Sequence, residues 1–175
     1  MKLFYIFLLA YLAVPMIQTQ ASAISLQNII TLKEKGFFRS SLGYSIHSKN
    51  TLWKLSKSSP KGKVLIYKQK GSVFSVRVKK IAEPNVTLYL KNNLSTYKHF
   101  GLKVTKAKKI KFKNHLAYLI YSHPKNKDRL NLYSTQLLTA KNHRLVSMTC
   151  TGKKSNQKDW TSECAKIMKN FSWTN

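Results

Sequence analysis

The sequence predicts an α+β fold, with an antiparallel β-sheet of about six to eight strands packed between helices. Three observations predict it. Two pairs of strand-like segments flank short turns in the first half, a segment with helical spacing follows them, and four more strand-like segments precede an amphipathic helix. Strands joined by such short turns pair in an antiparallel manner.

The first half is predicted to hold two β-hairpins. FFRS and YSIHS flank the turn SLG, and KVLIYKQ and VFSVRVKKI flank KGS. Glycine between strand-like runs is a turn signal. Before the first hairpin, Leu26, Ile29 and Ile30 have helical spacing, and Gly36 stands where that helix would end.

The second half is predicted to begin with a helix over 86–100. Leu90, Leu94 and Tyr97 recur there at helical spacing, ahead of Gly101. LKVTKAKKIKF, HLAYLIYSH, RLNLYSTQLLT and RLVSMTCT follow, separated by turn-rich residues, and predict a four-stranded meander. HLAYLIYSH is apolar on both faces, which favours a central strand covered on both sides.

Both cysteines are predicted to face the layer between the last helix and the sheet. Strand alternation puts Cys150 with Val146 and Met148, and Cys164 lies on the apolar stripe of a helix predicted over 155–171. In an oxidising compartment a Cys150–Cys164 disulfide follows, and two buried free thiols are the alternative. The Cys-x-x-Cys spacing of zinc sites and thioredoxin-like pairs is absent.

The first 23 residues, MKLFYIFLLAYLAVPMIQTQASA, have the three parts of a secretory signal. A basic Lys2 precedes an apolar run, and the small residues ASA end the segment. The run is shorter than the ~20 residues of a spanning helix, and no later segment is apolar enough to span. We expect residues 1–23 to be a cleaved signal peptide and residues 24–175 to form a single soluble domain, periplasmic or secreted.

The chain is strongly basic. It carries 32 lysines and arginines against 5 acidic residues, a formal net charge of +27 at pH 7. Such a field attracts polyanions and anionic membrane surfaces. Only 4 of these residues are arginine, the side chain suited to bidentate reading of phosphate and guanine, so no sequence-specific nucleic-acid recognition is expected. A compositional origin stays open, because an A- and T-rich genome also favours lysine and asparagine codons.

The acidic residues limit the chemistry of the chain. They are scattered, whereas glycosidases need two carboxylates facing one bond and Ca²⁺ or Mg²⁺ sites need clustered oxygen ligands. TGKKS lacks the upstream glycine of a phosphate-binding loop, and neither a G-x-S-x-G elbow nor a dinucleotide fingerprint occurs. We expect no metal and no cofactor. The acidic residues are Glu34, Glu83, Asp128, Asp159 and Glu163.

The best candidate binding surface is the run YKHFGLKVTKAKKIKFKNH, which has seven lysines and no acidic residue. In its strand part, Ile110 and Phe112 alternate with Lys109, Lys111 and Lys113. One face is therefore expected to join the core and the other to present a lysine ladder that docks phosphate, lipopolysaccharide or an acidic protein. The alternatives are a plain solvated face and lysines that discourage edge-to-edge aggregation. The predicted anion-binding residues are Lys98, Lys103, Lys106, Lys108, Lys109, Lys111 and Lys113.

The histidines raise the alternative of a ribonuclease-like enzyme, in which two histidines and a lysine act on a phosphodiester. His115 and His123 share one face of one predicted strand, but eight residues separate them by about 26 Å, too far to share a phosphate. No catalytic residue is assigned. The histidines are His47, His99, His115, His123 and His143.

With these elements in order, the chain resembles the PsbP-like family, the photosystem II extrinsic protein and its bacterial relatives. The hairpin FFRSSLGYSI precedes Trp53, near the family's P-x-x-W position, and the helix TLYLKNNLSTYKHF lies mid-chain. KNHLAYLIYSH is similar to the family's Gly-x-x-Ala-x-x-x-x-Tyr strand at Ala117 and Tyr121, with Asn114 in place of the glycine. LVSMTCT and the closing IMKNFSW are similar to the family's last strand and terminus.

The resemblance implies an antiparallel sheet with helices on both faces, and a binding module or assembly factor more than an enzyme. It transfers no metal-binding or partner-binding residue. We expect an exported, monomeric accessory protein whose basic surface holds an anionic envelope component or an acidic protein partner. The alternatives are a secreted, nuclease-like hydrolase of a polyanion and a small inhibitor that neutralises a toxin.

Overall fold

The structure is a computed structural model that describes residues 36–125 and 131–174. These residues form an α+β fold with two antiparallel sheets and two α-helices, α1 (Val86–His99) and α2 (Gln157–Lys169). The predicted signal peptide and the predicted helix around Leu26 lie outside the described residues. The strands are β1 (Phe37–Ser40), β2 (Tyr44–His47), β3 (Lys54–Ser58), β4 (Val64–Gln69), β5 (Ser72–Lys80), β6 (Leu102–Phe112), β7 (His115–Pro124), β8 (Leu132–Lys141), β9 (Arg144–Lys153) and β10 (Phe171–Trp173).

The large sheet holds seven strands in the order β3-β4-β5-β9-β8-β7-β6. It confirms two predictions, because β4 and β5 form the second hairpin and β6 to β9 form the four-stranded meander. The sequence does not predict β3, since KLSKS is too polar to show a strand pattern. Its residues Lys54 and Lys57 are exposed on the edge of the sheet opposite β6.

The small sheet, in the order β1-β2-β10, corrects one prediction. The first hairpin forms as predicted, but the chain leaves the last helix at Lys169 and not at residue 171. Phe171 pairs with Ile46 of β2 and is fully buried. Its ring stacks on that of Tyr44 with centroids 5.7 Å apart. The burial and stacking of the Phe171 ring in the small sheet therefore stabilise a strand at this position more than a further turn of helix would.

One face of the large sheet, the α2 face, is covered by α2 and by the small sheet. Trp160, Cys164 and Ile167 of α2 belong to one buried cluster with Met148 and Cys150 of β9. This arrangement confirms both the strand alternation and the helical stripe. The predicted disulfide joins Cys150 and Cys164, whose Cα atoms lie 6.2 Å apart.

Trp160 closes tightly over β9 beside this disulfide. A Cβ atom at Gly152 would lie 2.5 Å from the indole Nε1, closer than packed atoms approach. The indole N–H donates a hydrogen bond to the Lys153 carbonyl oxygen at 2.9 Å. Glycine at position 152 therefore lets α2 pack directly on the strand.

The opposite face of the large sheet, the α1 face, is covered by α1 over β6, β7 and β8. Val86 and Leu90 of α1 pack with Ile120 of β7 and Leu138 of β8. Ala117 is fully buried on the α2 face, and Ile120 is fully buried on the α1 face. Strand β7 is thus covered on both sides, as its apolar pattern predicts, and it lies one strand in from the edge.

Helix α1 agrees with its predicted bounds to within one residue. Asn85 caps its first turn, because the side-chain oxygen accepts a hydrogen bond from the Leu88 N–H at 3.0 Å. Gly101 follows the helix with a φ of +68°, a left-handed conformation that favours glycine and turns the chain into β6. No helix in the described part of the chain combines the length and apolar character needed to cross a membrane.

Glu163 ties α2 to the loop before β3. Its carboxylate accepts a hydrogen bond from the Leu52 N–H at 3.0 Å and forms an ion pair with Lys166 one turn along the helix. The hydrogen bond from Lys166 is the main cause that lowers the pKa of Glu163, and the Leu52 N–H adds to it. This acidic residue therefore has a structural role.

Candidate functional site

The predicted anion-binding lysines lie along β6 and beyond its two ends, and β6 is an edge strand of the large sheet. Ile110 and Phe112 pack against the core of the α2 face. Lys109, opposite Tyr118, and Lys111 point to the α1 face, and both are exposed. The predicted alternation is therefore confirmed in this part of the strand.

Lys106 and Lys108 lie on the other side of β6, on the α2 face. They pair with Tyr121 and Leu119 of β7, residues that share a face with the buried Ala117. Both lysines are exposed, although they stand on the same side of the strand as apolar core residues. The lysines of β6 thus divide between the two faces of the sheet.

A β-bulge in β6 adds a third lysine to the α2 face. The pairing register shifts between Val104 and Lys106, which leaves Thr105 as the extra residue. Lys103 consequently lies opposite His123 on the α2 face, although strict alternation would place it on the opposite face from Lys106. The bulge therefore gathers Lys103, Lys106 and Lys108 on one side.

The two remaining lysines lie outside the strand. Lys98 is in the last turn of α1, and Lys113 is in the β6–β7 turn with a φ of +48°. Of the expected ladder, Lys109 and Lys111 share the exposed side of β6, and Lys113 lies beyond the strand. The seven lysines therefore lie in four places: three on the α2 face of β6, two on its α1 face, one in α1 and one in the β6–β7 turn.

A shallow cleft of about 420 Å³ opens beside the lysines of the α2 face. Its lining includes residues of β6, β7, β8 and the first residue of α2, and none of its lining residues is acidic. We call it the basic cleft, and define it by Lys106, Lys108, Tyr121, Tyr133 and Gln157.

The basic cleft lies where the cover of the α2 face ends. At the other end of β6 and β7, the small sheet covers the strands. The ring of Phe112 lies 6.1 Å from that of Phe171, and His115 lies 6.0 Å from Trp173, centroid to centroid. Lys106 and Lys108 come before this covered part of β6, so their side chains reach solvent.

The rim of the basic cleft gathers residues that are distant in sequence. The Lys154 Nζ atom, in the turn before α2, lies 5.8 Å from the ring centroid of Tyr133. The ring of His123 lies 5.4 Å from the same ring. Sequence reasoning misses these rim residues, because only the folded sheet brings Lys154 and Tyr133 to the lysines of β6.

The side chains of the basic cleft suit the binding of an anion. Ammonium groups and phenol, hydroxyl and amide groups line it, with no carboxylate, imidazole or thiol. Lysine ammonium groups donate charge-assisted hydrogen bonds to phosphate or carboxylate oxygens. The tyrosine rings offer flat surfaces on which a cation or an apolar part of a ligand can pack.

The histidines are dispersed over the molecule. His115 and His123 lie at opposite ends of β7, His47 ends β2, and His99 ends α1. His143 lies in the β8–β9 turn with a φ of +56°. Among residues 36–125 and 131–174, no three histidine, cysteine, aspartate or glutamate side chains come together as a metal site requires.

Comparisons with known proteins bear on the fold. No family model and no curated protein matches the sequence. The solution structure of cyanobacterial PsbP from Synechocystis sp. PCC 6803 is similar, with a TM-score of 0.59 and 11% identity, covering 78% of this chain and 91% of that one. A Pseudomonas aeruginosa protein of unknown function has a TM-score of 0.56 and 13% identity, covering 76% and 92%.

A third similar structure comes from Bacteroides thetaiotaomicron VPI-5482, with a TM-score of 0.57 and 11% identity, covering 80% of this chain and 48% of that one. The fold is therefore PsbP-like, as the resemblance in sequence implies. At these identities the likeness concerns the fold alone, because one fold carries many functions.

Proposed function

We propose that this PsbP-like chain is an exported accessory protein that binds an anionic component of the cell envelope without chemical turnover, and that the basic cleft is its binding site. The observation that carries the proposal is the placement of Lys106 and Lys108 beside Tyr121 and Tyr133 in a cleft without an acidic lining residue. A net charge of +27 supplies the long-range attraction that brings an anion to it.

The size of the basic cleft indicates what it holds. About 420 Å³ is at the lower end of the range of small-ligand clefts. It suits one phosphate- or carboxylate-bearing unit of a larger envelope molecule, with the lysines on the charge and the tyrosine rings against the less polar part. Lysine is a point charge without a fixed hydrogen-bonding geometry, which favours charge recognition over recognition of one exact structure.

The disulfide supports the export part of the proposal. Cys150 and Cys164 are joined, and such bonds persist outside the reducing cytosol. The signal peptide itself stays a prediction from the sequence.

Retention on a heparin column tests the binding site. The double variant K106A/K108A removes two charges from the basic cleft, and K54A/K57A removes two exposed charges from β3 at the opposite edge of the sheet. The proposal predicts that K106A/K108A elutes at clearly lower salt than K54A/K57A, and that RNA or DNA incubated with the protein stays intact. Equal shifts for the two variants would show that diffuse charge binds the polyanion, and would overturn the proposed site.

A further inference from the structure

The junction between α1 and β6 exposes an aromatic side chain. Phe100 is 72% exposed. Its N–H donates a hydrogen bond to the Thr96 carbonyl oxygen at 3.0 Å, which holds the backbone at the end of the helix. Gly101 then turns the chain with a φ of +68°, and a Cβ atom there would meet nothing within 4 Å. The backbone of this junction is fixed, while the space around it is open.

Three exposed lysines lie near Phe100 along the chain or through a backbone hydrogen bond. Lys98 precedes it in the last turn of α1, and Lys103 follows it in β6. Lys125 is held nearby, because its N–H donates a hydrogen bond to the Gly101 carbonyl oxygen at 2.8 Å. All three lysines are exposed. We call Lys98, Phe100, Lys103 and Lys125 the junction surface, and none of the described residues from 98 to 103 is acidic.

We propose that the junction surface docks this protein on an anionic lipid bilayer, with the Phe100 ring in the interfacial region and the three lysines against lipid phosphate groups. The proposal rests on the proposed function in taking the bilayer as an anionic envelope component. Phenylalanine side chains of membrane-surface segments bury at the boundary between headgroups and acyl chains, and lysines near the surface are attracted to anionic lipids. A soluble polyanion would use the lysines but has no apolar layer for the ring.

The same contact places the basic cleft close to the membrane. Lys103 pairs with His123, whose ring lies 5.4 Å from that of Tyr133 at the rim of the cleft. Leu94, one turn before Lys98, is a further apolar side chain on the outside of α1 and is 45% exposed. Docking is reversible, because one aromatic residue and a few lysines give a weak peripheral contact.

Vesicle binding tests the proposal on the chain without residues 1–23. Vesicles of phosphatidylcholine alone are compared with vesicles that also contain phosphatidylglycerol, and inorganic polyphosphate serves as a soluble anion without an apolar phase. F100A is compared with L52A, which removes another exposed apolar side chain, 68% exposed, from the loop before β3. F100W and L52W, each compared with the parent protein and its three tryptophans, report insertion through a blue shift of the added emission.

The expected result is binding to the phosphatidylglycerol vesicles only, weakened by added salt. F100A lowers this binding by about tenfold, as expected for the loss of a partly buried aromatic side chain, while L52A leaves it unchanged. Polyphosphate binding stays the same in both variants. F100W shows a blue shift on the anionic vesicles, and L52W shows none.

Three outcomes would overturn the proposal. Equal vesicle binding by F100A and the parent protein would show that Phe100 makes no contact with lipid. Binding to polyphosphate but not to vesicles would remove the membrane contact and leave the proposed function standing. Binding to neither probe would remove both. Because the ring is exposed, matched thermal melting of F100A and L52A confirms that both variants are folded.

Discussion

Cys150 of β9 and Cys164 of α2 are joined by a disulfide that fixes the last helix to the central strand of the large sheet. The two cysteines are 14 positions apart, and Trp160 between them packs on Gly152. The disulfide and the contact between Trp160 and Gly152 therefore both join α2 to β9, in the layer between the helix and the sheet. The end of the chain continues from this layer into β10, which completes the small sheet.

Removing the disulfide is expected to destabilise the protein. C150A/C164A, or reduction of the parent protein, should lower the free energy of unfolding by about 3 kcal/mol, because a loop of this size restricts the unfolded chain. Urea denaturation with and without reductant measures the change. Two titratable thiols in the unreduced, folded protein would contradict the disulfide itself.

The contact between Gly152 and Trp160 is expected to couple the two residues energetically. G152A should cost about 1–3 kcal/mol of stability, because the new methyl group overlaps the indole ring. In the double variant G152A/W160L, leucine is smaller than the indole ring it replaces. The methyl group at position 152 should therefore lower the stability less than it does in G152A alone. A double-mutant cycle measures this, and costs that add within about 0.5 kcal/mol would contradict the clash.

The pKa of Glu163 makes part of the stability depend on pH. The Lys166 side chain and the Leu52 N–H lower this pKa in the folded state, whereas an unfolded glutamate titrates near ~4.3. The stabilisation is therefore present above the unfolded pKa and is lost as the pH falls through the lower, folded pKa. E163Q should be less stable than the parent protein by about 1 kcal/mol at pH 7.

The difference between E163Q and the parent protein should shrink when both are measured in acid, where the carboxyl group of the parent protein is also neutral. Thermal melting of the two proteins from pH 7 down to acid pH provides the comparison. A constant difference over the whole range would assign the effect to packing and not to the carboxylate charge.

Export is expected to be accompanied by cleavage. When the full chain is expressed in bacteria with its own first residues, the protein should appear outside the cytoplasm and begin at Ile24, after the ASA segment. Fractionation followed by an intact-mass measurement provides the test. A full-length chain that stays in the cytoplasm with both cysteines reduced would remove the basis for export.

The sequence predicts those elements whose pattern of apolar, polar and turn residues lies within a few neighbouring positions. The hairpins, the meander and α1 show alternation, helical spacing or turn residues within a few positions. Strand β3 is too polar to show such a pattern. Phe171 continues the helical stripe of α2 in sequence, and only its pairing with Ile46, far away in the chain, places it in a strand.

The candidate site is only partly predictable for the same reason. The lysine-rich run identifies β6, but the bulge at Thr105 decides that Lys103 shares a face with Lys106 and Lys108. Tyr133 reaches the site through the pairing of β8, and Lys154 through the turn before α2. In the sequence, Lys106 is an even number of residues from Ile110, so alternation puts both on the core-facing side of β6. A lysine on that side is the one local sign that the cover of the sheet ends there.

Salt dependence of polyphosphate binding tests most directly whether the basic cleft is an anion site. The logarithm of the affinity is measured against the logarithm of the salt concentration for the parent protein, K106A/K108A and K54A/K57A. Each phosphate contact releases bound counterions and makes the slope more negative. If polyphosphate behaves like nucleic-acid phosphates, K106A/K108A should have a slope less negative by about 1.5, and K54A/K57A should keep the slope of the parent protein. Equal slopes for all three proteins, or no binding at ~0.15 M salt, would contradict a localised anion site.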